Sequence, residues 1–181
     1  MKVIDDKVSK VLQDKIEAYF LNHHFPWYYN DNSLGNKVLK KHKLKTKDSF
    51  DKFQFTHKFI DERKVNSSHI NIIIELLNEL NIEESSIIGC KANLKFKTST
   101  KKKHNIFHVD HKDPHKVMIY YVNDSDGDTF FFKNGIENKV YKTVTPKKNR
   151  IVVFDGKILH ASSYPITSPI SMTLNFNFRY G

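Results

Sequence analysis

The chain has 181 residues, a formal net charge of +10 and 39% hydrophobic residues, with 14 Phe and 8 Tyr supplying large side chains for burial. That length suits one domain with a sizeable core, and the composition excludes a disordered chain. A single cysteine, Cys90, excludes an internal disulfide framework and a cysteine-built zinc cluster.

No apolar run approaches the ~20 residues that cross a bilayer. The segment from Met1 to Lys10 is charged and lacks the apolar stretch of a signal peptide, so a cytosolic protein is expected. Lys, Asn and Ile are abundant while Arg is scarce. This reads as a compositional bias rather than a phosphate-binding surface, where the bidentate fork of Arg leads. Nucleic acid is therefore a secondary expectation.

Val8, Val11, Leu12, Ile16 and Phe20 recur at helical spacing and predict an amphipathic helix over 6–22. Phe25-Pro26-Trp27-Tyr28-Tyr29 and a lysine-rich stretch at 37–52 follow, the latter read as a solvated loop. Ser67 or Ser68 then caps a second helix with apolar positions Ile70, Ile73, Ile74, Leu76, Leu77 and Leu80. From 86 onward the pattern changes to short strands rich in Ile, Val, Phe and Tyr: 86–97, 104–110, 116–122, 128–133, 138–143, 150–154, 157–161 and 171–178. Turn signals such as Ser125-Asp126-Gly127 and Asn134-Gly135 separate them. Cys90 falls on the first as a buried thiol.

Two helices followed by about eight strands predict an α+β, mainly β chain. The expected fold is a double-stranded β-helix (a cupin-like jelly roll) with the N-terminal helices packed on one face. Residues 1–181 form one domain in this reading, 1–85 its helical part and 86–181 the jelly-roll core. The strand run by itself also fits an ordinary sandwich.

The chemistry gathers at His108-Val109-Asp110. On a strand, a period of two puts His108 and Asp110 on one face. His160 ends a further strand segment fifty residues later. Two imidazoles and one carboxylate make the facial triad of non-haem iron(II) oxygenases, with open positions for a chelating co-substrate and O2. The tripeptide by itself is a weak signal in a chain with 10 His and 20 acids. The flanking His104, His111 and His115 read as solvent-exposed loop residues. His23, His24, His42, His57 and His69 have no ligand spacing.

From residue 86 to its end the chain resembles the iron(II)/2-oxoglutarate-dependent oxygenase superfamily, especially the prolyl-hydroxylase-like branch. After His108-Val109-Asp110, the segment Ile119-Tyr120-Tyr121-Val122-Asn123 resembles that branch's Ile-Tyr-Tyr-Leu-Asn. Asp126-Gly127-Asp128-Thr129 is similar to its Gly-Gly-Glu-Thr turn. The run from Pro146 through Asn149-Arg150 to Asp155 resembles its Pro-Lys-x-Gly-Arg strand, and His160 closes the series. Residues 1–85 carry almost none of this likeness.

The resemblance implies iron(II) held by the catalytic triad His108, Asp110 and His160. It also implies 2-oxoglutarate decarboxylated to succinate, and ascorbate as an auxiliary reductant. The expected reaction is hydroxylation of a protein or peptide side chain, proline included. Alternatives are an oxidative nucleic-acid-modifying dioxygenase and a non-catalytic jelly roll that keeps the metal as a staple.

One part of the family pattern is missing. An Arg or Lys for the 5-carboxylate of 2-oxoglutarate usually stands nine or ten residues after the distal histidine, where this chain has Pro169 and Ile170. Lys91-Ala92-Asn93-Leu94-Lys95 resembles the Asn-x-Tyr of the alkylation-repair branch. This implies Asn93 at the 1-carboxylate end, with Lys95 and Tyr121 as the replacement anchor. Alternation along the last strand puts Ser171, Thr173 and Asn175 on one face, which is expected to line the cup, with Ser171 at the co-substrate and Asn175 at the substrate.

Overall fold

Eleven strands and two α-helices fill the described residues, 1–31, 53–98, 104–133 and 139–179 of a computed structural model. The lysine-rich stretch at 37–52 and the Asn134-Gly135 turn lie outside them.

Helix α1 (Lys10–Leu21) starts at Ser9, whose Oγ accepts the Leu12 N–H at 3.3 Å. Its buried stripe runs Val8, Leu12, Ile16, Phe20. Val11 sits about 100° around the helix from Leu12 and is 81% exposed, so it drops out of the expected apolar face. Helix α2 (Asn71–Glu79) buries Ile72, Ile73, Leu76 and Leu77. Neither Ser67 nor Ser68 caps it. Ser67 Oγ instead bonds His57 Nε2 at 2.7 Å and accepts the His69 N–H at 3.0 Å.

The strands form two antiparallel sheets. The larger runs β1 (Lys2–Ile4), β9 (Arg150–Asp155), β6 (His115–Tyr121), β11 (Ile170–Arg179), β5 (Ile87–Phe96), β3 (Gln54–Asp61), β2 (Tyr28–Asn30), with β4 (Lys64–Val65) paired to β3. The smaller runs β10 (His160–Ser162), β7 (Thr129–Phe132), β8 (Val140–Val144). This is the mainly β jelly roll expected, with α1 and α2 on one face.

Residues 1–85 are not helical throughout, however. They contribute β1 at one edge of the large sheet and β2, β3 and β4 at the other. The expected strand 104–110 is also absent as a regular element. It touches β10 and the residue after it through isolated bridges, His104 to Ser163 and His108 to His160. Among the described residues no helix is long and apolar enough to cross a membrane.

Side-chain alternation sorts the large sheet into two faces. Cys90, Ala92 and Leu94 of β5 and Met172, Leu174 and Phe176 of β11 pack under the helices. The opposite face meets the small sheet and is apolar along β6 and β9, where Val117, Ile119, Tyr121, Val152 and Phe154 pack on Phe131 and Val144. Strand β6 is therefore buried on both sides, which is why it reads as an unbroken apolar run. Along β5 and β11 the same inter-sheet face carries Lys91, Asn93, Lys95, Ser171, Thr173 and Asn175. The space between the sheets is oily at one end and polar at the other, and the polar end is a cavity.

Two side chains tie the frame together. Asn149 holds φ 65°, a left-handed conformation that Asn tolerates and where the resembled motif has Gly. Its amide clasps Val8, accepting the backbone N–H at 3.1 Å and donating to the carbonyl at 2.7 Å. Asn149→Ala is expected to lose about 2–4 kcal/mol, from two orphaned backbone groups and a strained φ. Asn149→Gly removes only the first cost, so urea denaturation should rank wild type above Gly above Ala.

Asp126 accepts the N–H groups of Ile166, Thr167 and Ser168. Burial would raise its pKa, but the donors from Ser168, Thr167 and Ile166 outweigh it and hold the carboxyl well below its usual range. A depressed carboxyl stabilises the fold above its unfolded pKa of about 3.9. That contribution is lost as pH falls further. The melting temperature should therefore drop more steeply below about pH 4 in wild type than in Asp126→Asn.

Candidate metal centre

His160 opens β10, and His108 lies beside it on the irregular segment, joined by two backbone bonds of 2.9 and 3.0 Å. This pairing, rather than a continuous strand, brings the imidazoles to 4.9 Å between ring centroids. Asp110 bends in from two residues further on. His108 Nε2 is 3.5 Å from Asp110 Oδ1, and His160 Nε2 is 3.8 Å from Oδ2. One ligand atom from each of the three lies within 4.8 Å of the others.

The far side of each ring fixes its tautomer. His108 Nδ1 meets the Ile106 carbonyl at 3.1 Å, and His160 Nδ1 meets the Ile158 carbonyl at 3.1 Å. A carbonyl only accepts, so each Nδ1 donates, and each Nε2 of a neutral ring presents a lone pair inward. Burial pushes the His160 pKa down to about 4, so that ring is neutral at physiological pH. Burial works to raise the Asp110 pKa; charge on the His160 and His108 rings, when they are protonated, holds it well below the usual range. Asn175 Nδ2 donates to Asp110 Oδ2 at 3.1 Å, which fixes the carboxylate's rotation.

With both rings neutral, two lone pairs and a carboxylate converge. Such a set repels itself unless a cation sits among its members, and this donor chemistry fits a divalent first-row metal. Asn175 Oδ1, buried and without a hydrogen-bond partner among the described residues, adds a further acceptor beside Asp110. The side chains are 20% exposed at His108, 11% at Asp110 and 4% at His160, so access is from the His108 side.

The triad lines the polar cavity together with Asn93, Lys95, Ser171, Thr173 and Asn175. Tyr121 is not in the wall. Its hydroxyl donates to Thr129 Oγ1 at 2.7 Å, and Thr129 faces the cavity in its place. Lys95 is 5% exposed; its ammonium donates to Ser162 Oγ and sits 5.1 Å from the centre of the Tyr164 ring.

Several wall residues escaped the sequence reading: Lys91, Gln54, Gly127, Thr129, Ser162 and Ser163. The period of two that selects Asn93 and Lys95 also selects Lys91, so that signal was present. Gly127 had no such signal. A Cβ there would lie 3.1 Å from Ser171 Oγ and 3.2 Å from the Ser163 carbonyl. His115, expected in solvent, is 1% exposed at the start of β6. Its ring covers Gly156, where a Cβ would come within 2.3 Å of it.

No protein family and no curated protein sequence matches the chain. Its fold does match solved structures. An oxidoreductase of the 2OG-Fe(II) oxygenase family from Burkholderia pseudomallei aligns over 97% of this chain and 82% of its own, with a TM-score of 0.65 at 14% identity. A Pseudomonas putida prolyl-4-hydroxylase aligns over 99% and 92%, with a TM-score of 0.50 at 12% identity. HygX from Streptomyces hygroscopicus, solved with nickel and 2-oxoglutarate bound, aligns over 97% and 81%, with a TM-score of 0.58 at 7% identity. At these identities the likeness is one of fold.

Proposed function

We propose that the chain is an iron(II)- and 2-oxoglutarate-dependent dioxygenase that hydroxylates a protein or peptide side chain, with proline the first candidate. One observation carries this reading. Two imidazole lone pairs and a carboxylate converge in the wall of a polar cavity that also holds the buried ammonium of Lys95. His108, Asp110 and His160 would hold the iron. When bound, it supplies oxygen activation coupled to decarboxylation of 2-oxoglutarate to succinate. The chain contributes the rest. The Ile106 and Ile158 carbonyls hold the rings, Asn175 holds the carboxylate, and the apolar inter-sheet packing closes one end of the cavity to water.

Lys95 supplies the missing base. The family's cation stands just before the position of Ser171 on the last strand, and Ser171 is the cross-strand partner of Lys95 on β5. The positive charge has moved one strand sideways while facing the same cavity. Asn93, two residues along the same face and bonded to Thr173 Oγ1 at 3.3 Å, stands toward the triad end for the 1-carboxylate. Ser171 adds a hydroxyl beside Lys95.

The prolyl-4-hydroxylase neighbour supports a peptide substrate. The nucleic-acid reading lacks the aromatic stacking surface that holds an extruded base. Among the described residues no Phe, Tyr or Trp lines the cavity. The test is succinate formation from 2-oxoglutarate with added iron(II) and ascorbate, together with mass spectrometry for an added oxygen atom on candidate peptides. Succinate that depends on iron(II) supports the reading, and its absence overturns it.

A further inference from the structure

The cavity holds a second lysine that the co-substrate does not need. Lys91 lies on β5 opposite Asn175, the residue that holds Asp110, whereas Lys95 lies opposite Ser171. Four residues of strand separate the two positions by about 13 Å. The carbon chain of 2-oxoglutarate, four bonds of roughly 1.5 Å each, spans under about 6 Å. A co-substrate reaching from the triad to Lys95 runs away from Lys91, which stands opposite Asn175.

Lys91 is half-buried. Among the described residues no hydrogen bond or ion pair holds its ammonium; burial pushes its pKa down, against the opposing charge of Asp110. Lys58 of β3 stands directly across from it and is paired with Asp61 at 2.8 Å. Like charges facing each other across two strands cost stability, and a half-buried cation without a partner costs more. With a divalent metal on Asp110 and a 2-oxoglutarate dianion on Lys95, the charges in the cavity leave one positive charge over, and it is that of Lys91.

We infer that Lys91 holds a carboxylate of the primary substrate, so that the substrate is a peptide with an Asp or Glu side chain next to the residue that is hydroxylated. The inference rests on the dioxygenase reading above and adds the substrate's charge to it. Carboxylate is favoured over nucleic-acid phosphate because the wall offers amides and hydroxyls, and among the described residues no Phe, Tyr or Trp on which a base could stack.

The experiment offers a degenerate hexapeptide library to the iron form and reads oxygen addition by mass spectrometry. The best peptide, fluorescein-tagged, is then titrated against protein loaded with nickel(II) and 2-oxoglutarate, which reads affinity without turnover. Peptides with Asp or Glu beside the modified residue should be enriched about tenfold or more over their Asn or Gln counterparts, about 1.4 kcal/mol. The same ratio should appear in Kd. Lys91→Gln should level that ratio, and Lys91→Glu should turn it toward Lys-bearing peptides.

An acid preference that persists in Lys91→Gln overturns the inference. So does oxidation of neutral peptides or oligonucleotides alone, or a rise in the 2-oxoglutarate KM of Lys91→Gln as large as that of Lys95→Ala. Wild-type succinate formation without any peptide separates the two levels. If succinate forms and no peptide is oxidised, the inference falls with the peptide substrate while the dioxygenase chemistry stands; if none forms, the dioxygenase reading falls and the inference with it.

Discussion

Replacing His108, Asp110 or His160 by Ala is expected to lower iron(II)-dependent succinate formation by about a thousandfold or more, roughly 4 kcal/mol of lost transition-state stabilisation. Each residue supplies one of three donors within 4.8 Å of one another, and two donors leave a site too weak to keep the metal in place. The fold should survive, because the three side chains line a cavity and lie outside the helix-facing core. Thermal melts give a readout independent of turnover. A metal that binds only the folded protein raises its melting temperature. Added iron(II) or nickel(II) should therefore stabilise wild type and leave the three variants unmoved. Full activity in any one of them would remove that residue from the metal site.

Lys95→Ala is expected to raise the KM for 2-oxoglutarate by about thirtyfold or more, roughly 2 kcal/mol, with a smaller change in kcat. A carboxylate taken into a buried site needs a paired cation, and removing that cation leaves the charge uncompensated. The same logic gives the opposite sign for stability without co-substrate. Lys95 is 5% exposed, and a buried ammonium costs more than an apolar chain of similar length. Lys95→Met should therefore melt at or above the wild-type temperature without 2-oxoglutarate, and should gain less than wild type when it is added. An unchanged KM would rule Lys95 out as the anchor.

Much of the strand framework was legible because β-strands with one apolar face alternate visibly. The stretches around β5, β6, β7, β9 and β11 read correctly to within a residue or two. Strands β1 and β2 were not legible. Each is three residues long and pairs only at a sheet edge, so tertiary partners such as Ile151–Val153 for β1 decide it, and local propensity does not. The longer β3 was missed for another reason. Lys58, His57 and Gln54 break its alternation, because Lys58 is exposed, His57 is bonded to the Pro26 carbonyl and Ser67, and Gln54 looks into the polar cavity.

The candidate metal site divides in the same way. The three candidate donors were singled out from 10 His and 20 acids by the resemblance that sets His108-Val109-Asp110 and His160 in order along the chain. The sequence likewise determined which face of β11 is polar, because Ser171, Thr173 and Asn175 alternate with Met172, Leu174 and Phe176 whatever the sheet packs on.

Only the tertiary structure decided which side chains reach the cavity. Tyr121 shares the inter-sheet face but is held behind Thr129. His115 is buried because Gly156 leaves room for its ring. Lys91 and Lys95 stand out from the other lysines because the cross-strand register sets them opposite Asn175 and Ser171. A period of two fixes the face a residue occupies within its own strand. Register across strands is a long-range choice made by the packing of both sheets, and no local pattern encodes it.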